Sequence, residues 1–275
     1  MPLRLPSLWH LFVCVALAAL VAAPRAPRAA SSSAAELLAA GTRPPRAAPP
    51  SGAQLLAADA RESRVATPST ADLLAARAKY PAHWWAPLPK EGAPAWEILP
   101  QEAGPGEVIV SKRHELGLLS NFAATPFTFR GKRYASLEGF WQMMLYPEGP
   151  NDPRAKFPRL EWAHTRDQVA QMTAFEAKEA GTLAERNMGK MGIGWVTFAG
   201  RRIAYRPARP GRHYDLIVAA TWAKVRQNTE VREALLATGD LILKPDHHQE
   251  AGAPAAWHYC DILMKIRAEL RGGGR

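Results

Sequence analysis

The run Gly131-Lys132-Arg133-Tyr134-Ala135-Ser136-Leu137-Glu138-Gly139-Phe140-Trp141-Gln142-Met143-Met144 passes from a turn through a strand into a helix, and the fold is read outward from it. Gly131-Lys132 turns Phe127-Thr128-Phe129 back onto Arg133-Tyr134 as a short strand pair. Ser136 stands as an N-cap, because its hydroxyl can accept from an unpaired backbone N–H at the helix start. Apolar residues then recur at helical intervals, which predicts a helix to about Tyr146. Glu138 falls in the first turn, beside large aromatics. There the positive end of the helix dipole and unpaired N–H groups favour an ionised carboxylate, and the same placement also serves simply as a good helix start.

Upstream, Glu107-Val108-Ile109-Val110 after Gly104-Pro105-Gly106 reads as the strand at which ordered structure begins. Downstream, Thr165-Arg166-Asp167-Gln168 and Thr173-Ala174-Phe175-Glu176 fit the capping-box pattern and place two helices across roughly Arg166 to Asn187. Trp195-Val196-Thr197-Phe198 and Arg202-Ile203-Ala204-Tyr205 flank Ala199-Gly200-Arg201 as a hairpin. Helices follow at about Tyr214 to Arg226, at Glu230 to Ala237 closed by Gly239, and at Trp257 to Leu270 with Tyr259, Leu263, Ile266 and Leu270 on one face. The expected fold class is α+β, a mainly helical single domain over residues 107–275 with a few short antiparallel strands.

The rest of the chain is of another character. Met1 to Ala23 carries Arg4, an apolar stretch from Leu8 to Ala22 and a small-residue exit at Val21-Ala22-Ala23, the pattern of a secretory signal. The expectation is an exported protein, periplasmic or secreted. Pro24 is a poor residue after a cleavage point, so the cut falls elsewhere or the segment persists as a short anchor. Cys14 leaves with the signal and Cys260 then has no disulfide partner. Residues 24–79 are mostly Ala, Pro, Arg and Ser with no aromatic residue, too poor in large apolar groups to order, a flexible tether in which Ala-x-Leu-Leu-Ala-Ala recurs from Ala35, Ala53 and Ala71. Residues 80–106 form a Trp/Pro-rich arm expected to lie against the following domain through Trp84, Trp85 and Trp96.

The 35 basic against 25 acidic side chains leave a formal net charge of +10. No dense basic run with interleaved aromatics accompanies it, so there is no strong nucleic-acid signature, and nothing beyond the N-terminal segment points to a membrane. His247-His248 with His258 and Cys260 match no tight metal-ligand spacing. One of that histidine pair is instead expected to line a pocket, where it could protonate a leaving base near neutral pH. The sequence does not set an oligomeric state.

Three separated blocks carry a resemblance. Ser120-Asn121-Phe122, then Pro126, then Gly131 to Gln142 resembles the signature of the NADAR family, in which a Ser-Asn-Phe turn precedes a Gly-x-x-aromatic-x-Ser/Thr-x-Glu-x-x-aromatic-Gln helix start. Glu230 to Asp240 is similar to the family's Leu-Leu-x-Thr helix end, and Leu263-Met264-Lys265-Ile266-Arg267 to its closing helix. The resemblance implies an N-glycosidase acting on a small ribosyl nucleotide or an ADP-ribosylated substrate, with Glu138 as the catalytic carboxylate and no metal or cofactor. A non-catalytic module binding ADP-ribose or a nucleotide on the same fold is the alternative. The expected substrate-binding residues are Asn121, Phe122, Arg133, Trp141, Gln142, Asp246 and His247. Asn121 suits a hydrogen bond to the sugar or simply a turn, Phe122 and Trp141 suit stacking or the core, and Arg133 suits a phosphate or a solvated tip. Three departures stand out: Gly139 where the family commonly has His, Leu145 where it has Lys, and Lys244-Pro245-Asp246-His247-His248 in place of its Asp-x-x-Trp-Gly segment.

Overall fold

The computed structural model describes residues 75–273 other than 76, 208 and 251. The signal-like segment, the tether to residue 74 and the repeated phrases apart from Ala75 lie outside the described residues.

The run around Glu138 folds much as its local signals dictate. Strands β2 (Phe127–Phe129) and β3 (Lys132–Tyr134) pair antiparallel, and helix α1 (Leu137–Met143) follows Ser136, whose Oγ accepts from Gly139 N at 2.9 Å. The turn is Arg130-Gly131, one residue earlier than the composition suggests, with φ of 49° and 79°. Two consecutive left-handed residues match the twist of the strands they join. The second hairpin, β4 (Trp195–Phe198) with β5 (Arg201–Ala204), repeats this at Ala199-Gly200, φ 50° and 71°.

Helices α2 (Arg166–Ala170) and α3 (Ala174–Met191) stand where the capping boxes place them. Thr165 closes a complete box with Gln168, whereas Thr173 makes no side-chain cap. Ala174 has φ of 48° and its N–H goes to Phe122 O at 3.1 Å, so a tertiary contact sets the entry to α3. Helices α4 (Arg212–Gln227), α5 (Thr229–Ala237) and α6 (Tyr259–Gly272) complete the helical layer.

The strands are not all antiparallel. β1 (Glu107–Val110) pairs in parallel with β6 (Ile242–Pro245), Val108 opposite Leu243, and β6 is a strand beyond those expected from sequence. Leu241-Ile242-Leu243 is short and runs into a proline, which hid it. Val108, Ile109 and Val110 are all buried, and a continuous apolar run of this kind belongs to a strand covered on both faces, as parallel strands are.

Ordered structure also begins before Glu107. Trp84, Trp85 and Ala103 belong to the same buried cluster as Val108 and Phe140. Trp84 Nε1 donates to Glu115 Oε1 at 2.6 Å and Trp85 Nε1 to Glu107 O at 2.9 Å, so both indoles bury their rings with their polar atoms satisfied. Arg77, assigned to the tether by composition, lies over the Trp85 ring and donates to Ala103 O and Gly104 O.

Gly139 is explained by a close approach of backbones. A Cβ there would lie 2.5 Å from Met172 O and 2.9 Å from Val169 O, so a histidine such as the NADAR pattern carries has no room in this chain. Gly139→Ala is expected to cost about 1–3 kcal/mol in urea unfolding, because neither carbonyl is the end of a flexible side chain. Unchanged stability would mean that α1 and the Val169–Met172 backbone are not in contact.

Candidate active site

The Ser120-Asn121-Phe122 turn is clamped by three helices. Lys224 Nζ of α4 donates to Ser120 O at 2.7 Å, Glu138 N of α1 to Asn121 O at 2.9 Å and Ala174 N of α3 to Phe122 O at 3.1 Å. All three main-chain carbonyls are therefore used for position. The side-chain amide of Asn121 has no hydrogen-bond partner among the described residues, which leaves both its donor and its acceptor for a ligand.

Lys224 is fully buried among apolar neighbours, and burial pushes its ammonium down to about 7. Between pH 7 and the ordinary lysine value of 10.5 the unfolded chain holds a proton that the folded chain has released. Stability from this site consequently rises with pH across that window. The difference in unfolding free energy between wild type and Lys224→Met is expected to move toward wild type by about 1.4 kcal/mol per pH unit at its steepest. A difference that stays flat from pH 7 to 10 contradicts it.

Beside the turn opens a cavity of about 760 Å³, lined by Asn121, Phe122, Glu138, Trp141, Gln142 and His247 among the residues singled out from sequence. Glu138 is only 6% exposed, and its Oε1 accepts from Gln142 Nε2 at 2.7 Å. Gln142 in turn lies across Gly181 of α3, where a Cβ would meet its Oε1 at 1.8 Å. Only a glycine at 181 lets the amide sit where it orients the carboxyl.

The surroundings of the Glu138 carboxyl differ from the helix-dipole expectation. The N–H groups of Glu138 and Gly139 are already bonded to Asn121 O and Ser136 Oγ, so they do not solvate the carboxylate. Burial raises the Glu138 carboxyl above its ordinary value, opposed by the Gln142 hydrogen bond and by the charges of Lys178, His247 and Lys112.

Asp246 is 1% exposed and does not line the cavity. It receives Lys112 Nζ at 2.5 Å and pairs with His247 Nδ1 at 3.2 Å. Burial alone would raise its pKa, and those two partners outweigh it and leave the carboxyl below its ordinary value. Arg133 is absent from the cavity wall as well, and it is exposed on β3. Its neighbours at the hairpin tip serve the fold, Lys132 pairing with Asp167 and Arg130 lying over Phe129 and Phe198.

The cavity's cationic groups come from elsewhere. Lys112, Lys178 and Arg206 line it, while Leu145, where the family pattern has Lys, is fully buried in the core. Lys112 Nζ stands 5.1 Å from the Phe122 ring centre and 5.9 Å from that of Trp96. Trp96, Phe175 and Trp257 complete the aromatic wall, with Phe122 edge-on to Phe175 at 5.1 Å. Trp141 donates from Nε1 to Tyr205 Oη at 3.2 Å, and both rings pack edge-on against His213, which burial pushes down to about 4. Phe175 and Lys178, three apart at the start of α3, share a helix face, and this was the one signal of the missed wall available in the sequence.

Among the described residues no three His, Cys, Asp or Glu side chains are grouped to hold a metal ion, and no helix is long and apolar enough to cross a membrane. Burial raises the Cys260 thiol well above its ordinary value.

No family model matches the chain, and no curated protein does. Among solved structures the chain is similar to the NMR structure of the E. coli protein YbiA, at 20% identity and a TM-score of 0.37, over 60% of this chain and 86% of that one.

Proposed function

We propose that the protein hydrolyses the N-glycosidic bond of a (phospho)ribosyl or ADP-ribosyl compound, with Glu138 as the catalytic carboxylate. The observation that carries this reading is the Glu138 carboxyl itself, almost fully buried, oriented by Gln142 and set in the wall of a cavity that also holds lysines and aromatic rings. Breaking a C1–N bond leaves an oxocarbenium-like sugar, and a carboxylate removed from water stabilises that charge far better than a hydrated one. Lys112, Lys178 and Arg206 suit phosphate oxygens, and Phe122, Trp96, Phe175 and Trp257 suit a planar leaving group. The free amide of Asn121 adds a polar group for a sugar. The ordered sequence blocks that resemble the NADAR family support the same bond type.

The test is incubation of purified protein with pyrimidine ribosylamine phosphates and ADP-ribose derivatives, read by mass spectrometry for released base or amine. Product from one class is expected. Tight stoichiometric binding by calorimetry, with no product overnight, would instead make the protein a binding module.

A further inference from the structure

Building on that reading, we infer that His247 is the proton donor to the departing nitrogen, aimed at it by the buried Asp246. Asp246 takes Lys112 on one oxygen and His247 Nδ1 on the other. A carboxylate held by a lysine can only accept, so the proton between Asp246 and His247 belongs to Nδ1. The Nε2 atom is then the ring nitrogen whose proton can be exchanged.

The ring is oriented by Asp246 and Tyr259, and the backbone beneath it is pinned to the arm. It lies nearly parallel to Tyr259, 13° between planes and 6.2 Å between centres. The backbone of His247 pairs with Glu97 in the arm, and Ile98 N donates to Asp246 O at 2.8 Å. His247 lines the same cavity as Glu138 and is near enough to act on it electrostatically. Asp246, Glu138 and Lys112 are the charged groups that act on this cluster, the Glu97–Arg113 pair lies on the neighbouring arm, Lys178, Arg206 and Glu250 share the cavity wall, and Tyr259 lies on the ring face.

Two groups lining one cavity then divide the work. As the C1–N bond breaks, its electron pair stays on nitrogen, which takes the proton from His247 Nε2. Water adds to C1 and passes a proton to the Glu138 carboxylate, and transfer of that proton through solvent back to His247 restores both groups. One water is consumed, and a C1–OH and an N–H bond are formed.

Leaving-group chemistry tests this. A pyridinium leaving group departs as a neutral base and needs no proton, whereas an amine or amide nitrogen does. His247 has 42% of its side chain exposed, so His247→Gln can be made without emptying the core. The variant is expected to lose about 100-fold in kcat on an amine-linked ribosyl phosphate, with KM little changed, and less than about 3-fold on the pyridinium ribosyl phosphate. Equal losses on both, or no loss on either, overturn the assignment while wild-type cleavage keeps the glycosidase reading intact. Wild type that cleaves neither substrate removes both.

Discussion

Glu138→Gln is expected to lower turnover on ribosyl substrates by about a thousandfold or more, and at the same time to leave the protein as stable as the wild type or more so. The two effects run in opposite directions for one reason. The carboxyl is almost fully buried, with a single hydrogen bond from Gln142 on Oε1, and burial raises its pKa. An amide of the same shape can keep its carbonyl oxygen on Gln142 and carries no charge to desolvate. As pH rises above the ordinary carboxyl value, the unfolded chain releases a proton that the folded chain retains, so the wild type loses stability there and the variant does not. Product release by mass spectrometry and urea midpoints at pH 5 and 8 measure both. Undiminished turnover sinks the catalytic role, and a strongly destabilised variant sinks the account of the buried charge.

Arg154→Ala carries the largest expected loss of stability. Its side chain is 1% exposed and gathers the carbonyls of the turn that follows α1. It donates to Met144 O, Leu145 O and Tyr146 O, to Thr197 Oγ1, and with two nitrogens to the Asp152 carboxylate. Burial alone would raise Asp152, but Arg154 and the backbone N–H groups hold it down at about 2. Truncation leaves that carboxylate buried without its cation and Leu145 O without its donor, while Met144 O keeps Thr197 N and Tyr146 O keeps Arg166 Nη1, at a cost of about 3–5 kcal/mol. This is a large part of the stability of an ordinary domain. Arg154→Lys should not rescue it, because one ammonium cannot reproduce the planar fork. Asp152 contributes in full above the ordinary carboxyl value of 3.8, and that contribution fades as pH falls toward 2, so the gap between variant and wild type should narrow in acid. Thermal melts at pH 7 and 3 read both features, and a variant within about 1 kcal/mol of wild type at pH 7 contradicts the account.

Much of the chain was legible residue by residue. Ser136 caps α1, Thr165 and Gln168 close their box, and Ala199-Gly200 turns its hairpin, because each of these depends on groups only a few residues apart. The same local logic placed Glu138, Gln142 and Trp141 on one short helix and brought Asn121 and Phe122 to the turn before it.

It failed wherever a partner lies far along the chain. β6 carries no local signal because its pairing with β1 joins segments more than a hundred residues apart, and Arg77 reads as tether because its contacts with Trp85 and Ala103 lie outside its own segment. Arg133 looked as suitable for a phosphate as Lys112 does, yet the fold turns one to solvent and draws the other to Asp246.

By itself, then, the sequence determined the main helices and the two hairpins and set Glu138 in the first turn of α1, since propensity, capping and turn geometry are short-range. Only the tertiary structure decided which cations face Glu138, that Asp246 holds His247 rather than lining the cavity, and that Glu138 is a buried carboxyl with a raised pKa. Burial and electrostatics sum over everything that surrounds a group in space, and most of those neighbours are remote in sequence.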